Sequence, residues 1–167
     1  MKNIVTIATA VNGLVLKELN VVNAKEYYNL VEKNRAHLTR HGDYSEYKDM
    51  TYDEIITKLN DRDDNNLKFG IWLNSDLIGR ADLSPRKPGN YVLGYWLSEK
   101  YAGNGYATAA SIALIDYGRT ELGAKAIFAG VTKGNKKSEA LLKRLGFEEN
   151  KDKDTHTVFK LKLLANM

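Results

Sequence analysis

Short runs of alternating apolar and polar residues recur along the chain, with the two-residue period of a β-strand that buries one face. The clearest run, Leu14-Val15-Leu16-Lys17-Glu18-Leu19, follows the turn signal Asn12-Gly13. The turn signal Asn74-Ser75-Asp76 separates two further runs and predicts a hairpin. The predicted extended segments are residues 3–19 around their turn, 68–73, 77–83, 91–97, 124–131, 147–150 and 155–163.

Other segments carry their apolar residues at helical spacing. Asn23 and Thr51 stand where the N-caps of the first two helices are expected, and Gly146 stops the last. The predicted helices are residues 24–38, 52–59, 105–120 and 136–144, while residues 40–50 and 60–66 have no clear period and are predicted loops.

The order of these elements predicts one mixed sheet. Three of the strands, between residues 68 and 97, follow one another directly and should pair antiparallel. The helix at 105–120 then leads to the strand at 124–131, and such a β-α-β crossover requires a parallel pair. A chain of 167 residues has room for one domain. We therefore expect a single α/β (α+β) domain over residues 1–167, with a mixed, mostly antiparallel central sheet flanked by helices.

Composition and charge exclude several classes of protein. A chain that is 43% hydrophobic and 28% charged is an ordinary globule rather than a disordered protein. The absence of cysteine excludes disulfides and thiolate metal sites, and the few histidines (His37, His41 and His156) argue against a histidine cluster, so we expect no metal. The net charge of +4 is spread along the chain, unlike the basic field of a dedicated duplex binder. A small anionic ligand fits this charge.

The beginning of the chain carries no targeting signal that the sequence reveals. The apolar stretch at residues 4–11 is interrupted by Thr6 and Thr9, and only Lys2 precedes it. It is too short to span a membrane and lacks the form of a secretory signal. We expect a cytoplasmic protein without a membrane partner.

The most informative segment is a glycine-containing loop between a predicted strand and a predicted helix, Ala102-Gly103-Asn104-Gly105-Tyr106-Ala107-Thr108. The unpaired N–H groups at a helix N-terminus attract anions, and glycine lets a pyrophosphate approach the backbone. The dinucleotide fingerprint requires Gly or Ala where Thr108 stands, and the Walker loop requires a Gly-Lys-Ser/Thr that the chain lacks. The structural alternative is a plain strand-to-helix turn.

A second segment runs from Gly134-Asn135-Lys136-Lys137-Ser138 to Leu145-Gly146-Phe147, with one helix and one strand between it and the glycine loop. Its ordinary structural explanation is an N-cap at Asn135, a core of leucines and a glycine helix stop. Chance is a poor explanation for finding both segments in one chain at this spacing.

Together these segments resemble the GCN5-related N-acetyltransferases (GNAT). The pyrophosphate segment of that family has the pattern Gln/Arg-x-x-Gly-x-Gly/Ala, which residues 102–107 match except at Ala102, where one polar contact is missing. The family's Asn-x-x-Ser element, followed by Leu-Gly-Phe, is matched between Asn135 and Phe147. Residues 32–38, 72 and 94–99 resemble its RimJ/RimL-like branch, whose members acetylate ribosomal-protein N-termini and other amines.

The resemblance implies a sheet splayed at an acetyl-CoA cleft between the strands at 91–97 and 124–131. It implies that main-chain groups near Tyr95 to Leu97 pair with the pantetheine and stabilise the oxyanion, and that Ser138 is catalytic because it assists departure of the thiolate. The cofactor-binding residues that it implies are Trp96, Leu97, Ala102, Gly103, Asn104, Gly105, Tyr106, Ala107, Thr108, Asn135 and Ser138.

The implied function is transfer of an acetyl group from acetyl-CoA to a primary amine, such as the N-terminal amine of a ribosomal protein. Polyamines and other small amines stay open as acceptors, because residues 24–66 carry no readable specificity code. A non-catalytic acyl-CoA-binding module is an alternative, and the spread charge disfavours a nucleic-acid-binding domain. A homodimer is compatible with the resemblance.

Several roles have no single candidate in the sequence. The candidates for the general base in the last hairpin are Glu149, Asp152, Asp154 and His156, while His37 and His41 are candidates on the substrate side. The lysines Lys133, Lys136 and Lys137 are either partners of the cofactor phosphates or solvated surface residues.

Overall fold

A single sheet organises the protein, whose computed structural model describes residues 4–41, 44–61 and 66–163. Within these residues the strands are β1 (Thr6–Ala8), β2 (Leu14–Glu18), β3 (Leu67–Leu73), β4 (Asp76–Pro85), β5 (Asn90–Leu97), β6 (Ala126–Thr132), β7 (Glu148–Asp152) and β8 (His156–Lys162). Their order across the sheet is β1-β2-β3-β4-β5-β6-β8-β7, and every neighbouring pair is antiparallel except β5 with β6. The predicted mixed, mostly antiparallel sheet is confirmed.

Helices pack on both faces of this sheet. The helices of the described residues are α1 (Ala24–Thr39), α2 (Tyr52–Asn60), α3 (Tyr106–Glu121) and α4 (Lys136–Arg144). Because strand side chains alternate between faces, Ile71 lies in a core with α3 and α4, and its neighbour Trp72 lies in a second core with α1 and α2. None of these helices combines the length and the apolar composition needed to cross a membrane.

From residue 24 onwards, each observed α-helix and strand begins and ends within two residues of its predicted bounds, whereas the 3-10 helices at Ser45–Tyr47 and Glu99–Tyr101 were not predicted. Asn23 was predicted as the N-cap of α1, and it occupies that position. Its side chain, however, makes no capping hydrogen bond with that helix. A 3-10 turn over Val21–Asn23 precedes α1, and the Asn23 side chain instead accepts a bond from the Asn20 N–H at 3.3 Å. Residue 3 of the first predicted segment, and residues 42–43 and 62–65 of the predicted loops, lie outside the described residues.

The two parallel strands stay together over a short distance only. Residues 90–92 of β5 pair with residues 126–128 of β6, and the pairing ends there. β5 continues beside β4 as far as Leu97, whereas β6 continues beside β8 as far as Thr132. The sheet is therefore splayed between β5 and β6, as the resemblance implied.

Close backbone contact holds β4 to β5 where β5 has left β6. Gly79 of β4 faces Leu97, and a Cβ atom at Gly79 would lie 2.3 Å from the carbonyl oxygen of Trp96 and 3.1 Å from the Leu97 Cα. A side chain at this position would have to push the two backbones apart.

We predict that Gly79→Ala lowers the free energy of unfolding by about 1–3 kcal/mol, the usual cost of overpacking. The matched control is Gly130→Ala in β6, where the nearest atom would be 3.6 Å from the new Cβ, so that a change within about 0.5 kcal/mol is expected. Urea unfolding of both variants measures the difference. Equal stability of the two variants would contradict the close-contact argument.

Candidate functional site

A cleft of about 780 Å³ opens where β5 and β6 separate. Its walls come from β5, β6, the glycine loop, the beginning of α4, and the end of α1 with Tyr44. The sequence-predicted residues that line it are Trp96, Leu97, Ala102, Gly103, Gly105, Tyr106, Ala107, Thr108, Asn135 and Ser138. Asn104 is different, because its side-chain amide turns back on the loop and donates to the carbonyls of Tyr101 (3.1 Å) and Ala102 (3.4 Å).

The glycine loop presents bare backbone to this cleft. Gly103 and Gly105 have φ angles of +84° and +80°, and a Cβ at either would meet no atom within 4 Å. Gly105 is also the N-cap residue of α3 and has no side chain with which to bond the first-turn N–H groups. By contrast, Thr51 and Asn135 cap α2 and α4 with side-chain oxygens. The beginning of α3 is thus suited to an anion.

The approach to the loop is fixed by a buried asparagine of α1. Asn34 Oδ1 accepts bonds from the Glu99 N–H at 3.0 Å and from the Ser98 hydroxyl at 3.2 Å, while its amide donates to the Leu30 carbonyl at 2.8 Å. The Ser98 N–H also donates to the Ile78 carbonyl at 2.7 Å. The chain leaving β5 is therefore tied to both α1 and β4 before it reaches the glycines.

The edge of β5 that faces the cleft is occupied by side chains. Since residues along an antiparallel strand alternate in direction, the backbone groups of Tyr95 and Leu97 point away from β4. The Tyr95 N–H donates to the Tyr44 hydroxyl at 3.2 Å, and that hydroxyl donates in turn to the Tyr95 carbonyl. His37 Nε2 lies 3.1 Å from the Leu97 carbonyl oxygen. The Tyr95 N–H, the Tyr95 carbonyl and the Leu97 carbonyl, which are among the main-chain groups expected to serve the pantetheine and the oxyanion, therefore already have partners in this conformation.

Ser138 faces the cleft from the first turn of α4. The Asn135 side chain accepts a bond from the Ser138 N–H at 3.3 Å, so Asn135 is the N-cap, as its structural explanation predicted. The Ser138 hydroxyl is therefore not needed for capping, and its oxygen lies 2.7 Å from the hydroxyl oxygen of Tyr95. This hydrogen bond spans the cleft between β5 and α4.

A partly buried polar cluster lies behind the β5 wall. Arg80 donates to the hydroxyls of Tyr27 at 3.0 Å and Tyr47 at 2.7 Å, and it contacts the Asp82 carboxylate at 3.1 Å. Asp82 fills the space that a Cβ on Gly94 would take, since its Oδ1 lies 2.7 Å from that position. Burial raises the pKa of Asp82, and the positive charge of Arg80 offsets part of this rise. Burial likewise raises the pKa of Tyr44, which keeps its hydroxyl protonated.

Charged residues are unevenly distributed around the cleft. Over the part of the chain that the structure describes, its lining includes basic side chains but no carboxylate; the basic residues are Arg40, Lys136, Lys137 and Arg144, with His37 and His41 beside them. The candidate bases Glu149, Asp152, Asp154 and His156 are not part of this lining. Lys133 is turned away from it and pairs with Asp152 at 2.9 Å.

Sequence patterns did not reveal the side-chain roles of three residues that organise this site. Asn34, Tyr44 and Tyr95 act through contacts with residues 51 to 65 positions away, or 43 in the case of Tyr95 with Ser138. A buried asparagine in an otherwise amphipathic helix was the one signal available, because such a side chain needs polar partners.

We predict that Asn34→Ala lowers the free energy of unfolding by about 1–3 kcal/mol, because the Glu99 N–H and the Ser98 hydroxyl lose their acceptor. The control Ser98→Ala removes one of these two bonds and should cost about 0.5–1.5 kcal/mol. Urea unfolding gives both costs, and hydrogen exchange should show faster exchange of the loop amides in Asn34→Ala alone. If Asn34→Ala costs no more than the control, Asn34 does not anchor the loop.

Known proteins share this architecture. The ribosomal N-acetyltransferase candidate YdaF of Bacillus subtilis (strain 168) is 33% identical over 93 residues, which are 54% of this chain and 51% of YdaF. The chain thus matches about half the length of that relative.

Among solved structures, a RimL ribosomal L7/L12 alpha-N-protein acetyltransferase in complex with coenzyme A has a TM-score of 0.85 at 17% identity, covering 98% of this chain and 100% of RimL. A ribosomal-protein-S5-alanine acetyltransferase from Vibrio fischeri has a TM-score of 0.80 at 18% identity, covering 93% of this chain and 96% of that one. At these identities the likeness shows a common fold.

The sequence model of the acetyltransferase (GNAT) domain matches residues 14–148, which include both the glycine loop and the Asn135 to Ser138 turn. Since the match covers most of the chain, the chain belongs to the GNAT acetyltransferase family.

Proposed function

We propose that the protein transfers the acetyl group of acetyl-CoA to the N-terminal amine of a protein, in the cytoplasm. The observation that carries the proposal is the single cleft that joins the uncapped beginning of α3 to the Ser138 hydroxyl. One end of the cleft suits a pyrophosphate and the other suits a leaving thiolate. A CoA thioester carries both groups in one molecule.

The binding residues in this proposal follow from the cleft walls. The pyrophosphate would accept bonds from the first-turn N–H groups of α3, next to Gly103 and Gly105. Lys136, Lys137 and Arg144 line the same cleft and would add positive charge near the phosphates. Ala102 supplies no side-chain donor, so the backbone has to carry more of the binding. The pantetheine would lie between β5 and β6, and to pair with Tyr95 it must displace the Tyr44 hydroxyl.

The chemistry requires placement of two reactants rather than a covalent enzyme intermediate. A neutral amine attacks the thioester carbonyl, the C–N bond forms, and the carbonyl oxygen becomes an oxyanion. The C–S bond then breaks, and the electron pair stays on sulfur. In the proposal, Ser138 is the residue that gives the thiolate a hydrogen bond or a proton, and Asn135 holds its helix turn in place.

The electrostatics of the cleft favour a protein N-terminus over a polyamine. Within the described residues no carboxylate lines the cleft itself, and the adjacent Glu99 is already paired with Arg40 at 3.1 Å and lies 3.3 Å from His37, so a second cationic group on the acceptor would have to compete for it. An α-amino group has a reference pKa of about 8, against about 10.4 for an alkyl amine such as that of lysine. More of the α-amino group is therefore neutral at physiological pH, and it needs less help from a general base. The names of RimL and the S5-alanine acetyltransferase support the same acceptor class.

We predict that acetyl-CoA binds the native protein and raises its melting temperature, because a ligand at a hundredfold excess over its Kd stabilises by about 2.7 kcal/mol. Thiol release should then be faster with peptides bearing a free N-terminus than with the same peptides N-acetylated or with spermidine. Absence of a thermal shift at millimolar acetyl-CoA would refute the cofactor. A preference for spermidine would refute the acceptor class.

We predict that Gly105→Val weakens acetyl-CoA binding at least tenfold, because the new side chain would project into the space of the pyrophosphate. Gly123→Val is a matched control: Gly123 also has a positive φ, of +65°, and open space around its Cβ, but it lies outside the cleft lining. Both variants carry the same kind of backbone strain, so calorimetric titration separates lost binding from lost stability. Equal effects of the two substitutions on affinity would contradict the anion-binding role of the loop.

A further inference from the structure

The hydrogen bond between Tyr95 and Ser138 joins the two walls of the cleft. Tyr95 belongs to β5, and Ser138 belongs to α4, which follows β6; their hydroxyl oxygens are 2.7 Å apart. The bond lies where β5 and β6 no longer pair, so it is a contact made by side chains alone. The inference drawn below from this hydrogen bond deepens the proposed function and rests on it.

The environment of Ser138 favours Tyr95 as the donor of this bond. A phenol is a far stronger acid than an aliphatic hydroxyl, and the stronger acid is the better hydrogen-bond donor. A serine in the first turn of a helix otherwise tends to donate to a backbone carbonyl of the same turn. When the Tyr95 hydroxyl donates its hydrogen bond to the Ser138 oxygen, the proton of the Ser138 hydroxyl is free to point into the cleft.

The Tyr95 ring is itself held in place. Tyr95 lies opposite Ala81 in the part of β5 that pairs with β4, and its side chain packs against the core formed with α3 and α4. The phenol therefore approaches Ser138 from a fixed strand rather than from a mobile loop. A fixed donor can select one orientation of the serine hydroxyl.

We propose that Tyr95 is a positioning residue that orients the Ser138 hydroxyl toward the thioester sulfur and replaces its proton during acetyl transfer. When the C–S bond breaks, the Ser138 proton forms the S–H bond of CoA, and the Tyr95 phenol proton passes to Ser138 Oγ. The proton that the attacking amine loses on becoming an amide is released to bulk water, and the phenolate regains a proton from bulk water after CoA leaves. No alkoxide accumulates on Ser138, and the reference pKa values of the phenol (about 10) and of a thiol (about 8.5) are close enough for the transfer.

A double-mutant cycle tests this coupling in the full-length chain. Tyr95→Phe removes only the phenol oxygen and should lower kcat by about 10–100-fold, with the Kd of acetyl-CoA changed less than threefold. The double variant Tyr95→Phe/Ser138→Ala should be no slower than Ser138→Ala, because residues that act as one unit do not contribute additively. The control is Tyr91→Phe, the same substitution on the same face of β5 but outside the cleft lining.

The pH profile gives a readout that a merely structural role would not move. Replacing Tyr95 by fluorotyrosine lowers the pKa of the phenol, and the alkaline limb of the kcat profile should shift to lower pH with it. This substitution preserves the side-chain shape, and it remains informative if Tyr95→Phe folds poorly.

Each outcome decides the question. Loss of kcat in Ser138→Ala but not in Tyr95→Phe would overturn this inference and leave the proposed function intact, as would additive losses or an unmoved alkaline limb. Normal kcat in Ser138→Ala would remove the role of Ser138 and, with it, that of Tyr95. Failure of the unsubstituted protein to transfer acetyl groups to any amine would overturn the proposed function together with the inference.

Discussion

The short parallel pairing of β5 with β6 is the constraint on which the rest of the site depends. It ends at Val92 and Phe128 because the two strands are held by different neighbours, β5 by β4 and β6 by β8. The end of β5 is also bound to α1, through Asn34 and through the contact between His37 and Leu97. Each strand keeps its own partner, and the space between them becomes the cleft.

Opening a sheet in this way exposes main-chain donors and acceptors that a closed sheet would pair, and such groups are costly to leave without partners. On the β5 side, the Tyr44 hydroxyl bonds both backbone groups of Tyr95, and His37 Nε2 contacts the Leu97 carbonyl. At the beginning of α3, Gly105 supplies no such bond. A ligand that presents amides to the strand edge and an anion to the helix matches both surfaces. Its amides would exchange with the Tyr44 hydroxyl, so binding there replaces one hydrogen bond by another and gains little from the strand edge alone.

The fold could be predicted from the sequence because the patterns that indicate its helices, strands and turns are local. Hydrophobic period, turn residues and the stop at Gly146 depend on neighbours within a few positions, and the two motif segments lie on short stretches of chain. The roles of Asn34, Tyr44 and Tyr95 depend on contacts more than 40 residues away, which no local pattern encodes. The capping bond expected of the Asn23 side chain was wrong for a related reason, since an asparagine side chain bonds whichever backbone group the turn brings nearest.

The charge distribution also explains why no general base stands out. A carboxylate close to the acceptor would favour its ammonium form, whereas attack requires the neutral amine. In the described residues Asp82 lies behind the β5 wall against Gly94, is paired with Arg80, and is not part of the cleft lining. Of the cationic side chains that line the cleft, Arg40 is paired with Glu99 at 3.1 Å, and the proposal assigns Lys136, Lys137 and Arg144 to the cofactor phosphates. Because such a cleft gives little help in deprotonating an amine, the proposed function favours acceptors whose amine is already weakly basic, and among the amines of a protein that property belongs to the N-terminus.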